Sequence, residues 1–108
     1  MQKTPESIDG KNPFSNWLDS LRDKKSKAKI QIRLERVKMG NLGDFKSVGE
    51  GVLELRIRHG PGYRVYFAQV GLAIILLLCG GDKSTQQRDI LQAQQFWTDF
   101  KRRDNANE

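Results

Sequence analysis

A chain of 108 residues, 37% hydrophobic and 30% charged, has room for one domain with its own core and needs no disulfide staple. The single Cys79 cannot form an internal disulfide, and the longest apolar run, 72–79, is far short of the about 20 residues of a membrane-spanning helix. The net charge of +6, from 19 Lys and Arg against 13 Asp and Glu, points to an acidic or polyanionic partner.

Residues 1–12 carry no cationic-then-apolar leader and read as a loose arm of a single domain spanning 1–108; the cytoplasm is the simplest location. At 13–22 the segment PFSNWLDSLR places Phe14, Trp17, Leu18 and Leu21 on one helix face, with Asn12 as the N-cap and Pro13 in the first turn. A second helix is predicted over 26–39, with Ile30, Leu34 and Val37 as its buried stripe and Gly40 at its end. Residues 22–38 hold eight Lys or Arg and two acids. Lys25, Lys27 and Lys29 therefore form either a solvated face or a surface for RNA phosphates.

GNLGDFKSVGEG (40–51) is a glycine-rich loop with a short strand near Phe45 to Val48 that carries Lys46. The period then changes to two. Leu53, Leu55 and Ile57 alternate with Glu54, Arg56 and Arg58. Gly60-Pro61-Gly62 is a turn, and Arg64 and Tyr66 of the next strand share a face opposite Val65 and Phe67. LAIILLLC (72–79) is a strand covered on both sides. A last helix runs from Ser84 to Lys101, capped by Ser84 or Thr85, with Ile90, Ala93, Trp97 and Phe100 buried. The predicted class is α+β: an N-terminal helical hairpin, an antiparallel sheet of three to four strands and a C-terminal helix.

The hairpin gathers Glu54, Arg56, Arg58, Arg64 and Tyr66 on one sheet face, with Lys83 following the central strand. Two readings stand. One is a wet face, with Glu54 paired to an arginine for solubility. The other is an anion site, where arginine forks grip a phosphate. His59 reads as an exposed turn residue or, less simply, as a proton carrier. One His and one Cys supply neither a metal cluster nor a nucleophilic triad, so no metal and no cofactor is expected.

The run GNLGDFKSVGEGVLELRIRHGPGYRVYF, then an apolar strand and GGDKSTQQRDI, resembles the RelE/ParE superfamily of toxins from type II toxin–antitoxin systems. It is most similar to the addiction-module killer, or phage-derived HigB-like, branch, over residues 13 to 100. The resemblance implies a metal-independent, ribosome-dependent mRNA endonuclease, held in check by a cognate helix-turn-helix antitoxin whose complex binds operator DNA. It also leaves a ParE-like DNA gyrase inhibitor and a degenerate binding module as alternatives. By the same resemblance, Arg56 and Arg64 clamp the phosphate and Lys83 adds charge or moves a proton. For metal-free cleavage of this kind, the chemistry of the face itself makes Glu54 the candidate base and lets Tyr66 stack on a base or bond the phosphate, with Arg58 and Lys46 contacting RNA. The sequence departs from the RelE pattern in having no tyrosine after Tyr66, and it lacks the histidines and the C-terminal acidic-aromatic cluster of HigB.

Overall fold

The computed structural model describes residues 2–3, 12–72 and 74–106. Helix α1 spans Pro13–Ser20. Asn12 caps it by accepting from the Ser15 N–H at 3.1 Å, and Pro13 occupies the first turn, where a missing N–H is harmless. Helix α2 spans Lys24–Lys38. It begins earlier than predicted because Asp23 is its N-cap, accepting from the Lys25 N–H and the Ser26 hydroxyl. Ser26, Ile30, Leu34 and Val37 are its buried side.

Four antiparallel strands follow: β2 (Phe45–Ser47), β3 (Leu53–Ile57), β4 (Tyr63–Val70) and β5 (Ile74–Asp82). A two-residue strand β1, Gln2–Lys3, lies parallel to β5 at the far edge, so the spatial order is β1-β5-β4-β3-β2. The expected loose arm thus supplies a sheet edge at residues 2 and 3; residues 1 and 4–11 of it lie outside the described residues. One turn of 3-10 helix, Lys83–Thr85, leads into α3, Gln86–Ala106. Asp82, not Ser84 or Thr85, caps this turn, accepting from the Ser84 N–H at 2.8 Å. No helix among the described residues is long and apolar enough to cross a membrane.

Strand alternation sorts the side chains into two cores. Leu55, Ile57, Val65, Phe67, Ile75 and Leu77 pack with Phe14, Ile30, Leu34 and Val37, beneath α1 and α2. Val52, Tyr66, Ala68, Leu76, Leu78 and Cys79 pack with Ala93, beneath α3. The sheet is therefore covered on both faces. The face that carries Glu54 and Tyr66 is not the wet face that solubility alone would require; α3 lies over it.

An irregularity in β5 decides which glycine meets which helix. Tyr66 pairs with Cys79 and Phe67 with Leu77, so Leu78 is the extra residue of a bulge. Leu78 and Cys79 both join the α3 core, and the parity beyond them is shifted by one. Gly80 then faces α1, and a Cβ there would overlap the Trp17 ring. Gly81 faces α3, and a Cβ there would overlap the Asp89 carboxylate. Gly80→Ala and Gly81→Ala are each expected to cost about 1–3 kcal/mol through overpacking, a loss of roughly 5–15 °C in melting temperature. Melts indistinguishable from wild type would mean that neither contact is close.

Candidate functional site

At the turn end of the β3–β4 hairpin, Glu54 faces Tyr66 and Arg56 faces Arg64 across the strands, and Arg64 faces Gly81 on β5. The backbone N–H of Arg56 donates to Asp44 O at 2.9 Å, on the side away from β4. A residue's N–H and C=O point the same way in a strand, so Arg56 and Arg64 form a non-hydrogen-bonded pair. That pairing brings side chains closest, with Cα atoms about 4.5 Å apart.

Two like charges at such a position repel, and Glu54 offsets the repulsion. Arg56 Nε donates to Glu54 Oε1 at 3.2 Å, and Arg64 Nε lies 3.7 Å from Oε2. The same carboxylate accepts from the Tyr66 hydroxyl at 3.0 Å and from Gln86 Nε2, at the start of α3, at 2.9 Å. Burial by itself would raise the Glu54 pKa. The bonds from Gln86, Tyr66 and Arg56, with the charge of Arg64, outweigh it and hold the carboxyl below its ordinary value. Burial, then the bond to Glu54, pushes the Tyr66 phenol far up, so it stays protonated.

Glu54 and Tyr66 are each 0% exposed. The expectation that Glu54 acts as a base and that Tyr66 stacks on RNA meets this burial: Glu54 has both oxygens engaged, and the Tyr66 hydroxyl is turned inward. Both shape the arginine pair from beneath.

The guanidinium of Arg64 is only partly satisfied. NH1 donates to Gly62 O at 3.0 Å, whereas Nε is buried without a hydrogen-bond partner among the described residues. Lys83 is exposed at the end of β5. A Cβ placed on Gly62 would lie 3.5 Å from Arg64 NH1 and 3.7 Å from Lys83 Cβ, so both side chains flank the same glycine. Arg56, Arg64 and Lys83 thus occupy one end of the sheet.

The other basic residues are spread around this centre. Lys46 pairs across β3 with Glu54 and is exposed on the same face. Arg58, also exposed, is held by Asp44 at 3.1 Å. Lys25, Lys27 and Lys29 belong to the opposite helical layer. The start of α2 still reaches the turn, because the Asp23 carboxylate lies 3.7 Å from His59 Nε2. His59, expected to be exposed, is three-quarters buried against that cap.

Sequence reading missed Gln86, Arg88 and Asp89. Gln86 extends the Ile90, Ala93, Trp97 stripe backward by four residues, a signal that the periodicity contained. Asp89 is buried, accepts from the Thr85 hydroxyl, and lies 3.4 Å from Arg88, which adds an exposed cation beside the site. Burial and the neighbouring Asp89 push the Cys79 thiol up to about 12, which leaves it inert as a nucleophile. Among the described residues, no group of three or more His, Cys, Asp or Glu is placed to hold a metal.

Residues 16–96 match the family described as Phage derived protein Gp49-like (DUF891). An uncharacterized protein of Haemophilus influenzae is 52% identical over 81 residues, which cover 75% of this chain and 82% of that relative. The family match takes in β2 through the first turns of α3, and so every residue of the arginine-centred cluster.

Proposed function

Because the chain belongs to the Gp49-like family of phage-derived proteins, a family associated with toxin–antitoxin-like modules, we propose that it is the toxin of such a pair. In this reading it is a HigB-like member of the RelE/ParE type that cuts mRNA on the ribosome. A helix-turn-helix antitoxin neutralises it, and the complex of the two binds operator DNA.

The observation that supports this reading is the close pair of Arg56 and Arg64, which share the single Glu54 carboxylate and are flanked by Lys83. Three cations around one carboxylate leave excess positive charge, and a phosphodiester supplies oxygens in the geometry a guanidinium fork prefers. In RNA cleavage the 2′-oxygen attacks the adjacent phosphorus and the P–O5′ bond breaks. A cyclic phosphate and a 5′-hydroxyl remain. Arg56 and Arg64 stabilise the charge that builds on the phosphoryl oxygens, and the Lys83 ammonium donates the proton that the 5′-oxygen gains. Glu54, already saturated with donors, holds the arginines. With Glu54 saturated, the 2′-proton passes to a base outside this chain, such as a ribosomal group, and cleavage in this reading depends on the ribosome. Lys46, Arg58 and Arg88 border this centre, and the lysines of α2 extend the basic surface for RNA backbone.

Inducing the chain alone is expected to stop growth and create new mRNA 5′ ends, with no new DNA breaks. DNA breaks without new RNA ends would reassign it to gyrase inhibition. Undisturbed growth would reduce it to a binding module.

A further inference from the structure

Arg33 lies in the basic run of α2 and looks like one more solvated cation, yet its side chain turns inward. NH1 donates to Arg56 O at 2.6 Å, and NH2 donates to Leu42 O at 3.0 Å and Asp44 O at 3.3 Å. These three acceptors are all backbone carbonyls. The nearby Asp44 carboxylate bonds Arg58 instead.

The ladder between β2 and β3 ends at Phe45 and Leu55. Arg56 lies one residue beyond it, so its outward N–H and C=O lack strand partners. Asp44 O takes the N–H, at 2.9 Å, and Arg33 takes the C=O. Arg33 also bonds the Asp44 carbonyl itself, and so closes a ring from α2 through residues 42–44 to β3. A planar fork with five donors can bridge three carbonyls; a lysine ammonium on a flexible stem cannot hold the same geometry. Gly43, at φ +64°, lets the loop pass under the guanidinium: a Cβ there would stand 3.0 Å from Arg33 NH2.

We infer that Arg33 is the positioning residue of Arg56: its three-carbonyl clamp fixes the end of β3 from which Arg56 reaches the anion shared with Arg64. The effect on RNA rests on the phosphate reading of Arg56; the clamp itself does not.

The test is Arg33→Lys, with amide hydrogen exchange read residue by residue and growth arrest read in parallel. The Arg56 amide is expected to exchange at least tenfold faster, while the amides of Val65 to Phe67 keep wild-type rates. Growth arrest should fall as far as in Arg56→Ala, and the double variant should be no weaker than Arg56→Ala alone. Unchanged exchange at Arg56, or equal acceleration of every amide, overturns the inference, as does an additive double variant. If Arg33→Lys does not fold, Gly43→Ala, which presses on the same fork, carries the same comparison. If the wild type causes no arrest, the toxin reading fails, and exchange at Arg56 still decides the clamp.

Discussion

Arg64→Ala should lower cleavage of ribosome-bound message by about 10²–10³-fold and abolish growth arrest, while the protein stays folded and antitoxin-bound. The rate estimate corresponds to about 3–4 kcal/mol for one well-placed donor at a developing oxyanion. The folding side of the prediction follows from what Arg64 already bonds. Its NH1 donates to Gly62 O, and its Nε has no hydrogen-bond partner among the described residues, only the Glu54 carboxylate at 3.7 Å. Removing it deletes one hydrogen bond, about 1 kcal/mol, and the 3.7 Å ion pair with Glu54, and it also removes a like charge from Arg56. Glu54 keeps Arg56, Tyr66 and Gln86. Melting temperature and antitoxin co-purification report the fold; mapped mRNA ends report the activity. An alanine variant as toxic as wild type removes Arg64 from the mechanism.

Glu54→Ala is expected to act on the fold instead. It strips the counter-charge from a close arginine pair and orphans the buried Tyr66 hydroxyl. Breaking a buried ion pair by deleting one partner costs about 3–5 kcal/mol, a large share of the roughly 5–15 kcal/mol that holds a domain together. The melting temperature should fall by on the order of 15 °C or more.

Acid should reproduce part of this loss. The folded pKa of Glu54 lies below its ordinary value of 4.5. Its contribution to stability is therefore complete above that ordinary value and disappears as pH falls through the folded pKa. Glu54→Gln, which cannot titrate, should be less stable at neutral pH and show a shallower acid limb. An acid limb equal to wild type would mean that another carboxylate, such as Asp23, carries it. Asp23 also has a lowered pKa, through its bonds from Ser26 and Lys25.

The two roles of the polar face were separable only in three dimensions. Alternation along LELRI put Glu54 and Arg56 on one side, and the strand pairing bears that out. Alternation says which residues share a face but not what lies on top of it. The placement of α3, with Gln86 over Glu54, turned an expected base into a buried anchor and left the arginines at the rim. The bulge at Leu78 was hidden for another reason. In an unbroken apolar run every register looks alike, so a one-residue shift leaves no mark in the pattern. Arg33 was hidden by its neighbours, because in a run of cations no spacing rule distinguishes the one that turns inward.

Local chemistry, then, was enough to determine the order of elements from α1 to α3, the apolar stripes of the helices and the shared face of Glu54, Arg56, Arg64 and Tyr66. Capping groups, glycines and side-chain periods act within a few residues of one another and can be read directly along the chain. Burial of Glu54, the unsatisfied Nε of Arg64 and the carbonyl clamp of Arg33 were decided only by tertiary structure. Each depends on groups tens of residues apart, and solvent exclusion exists only once the helices have closed over the sheet.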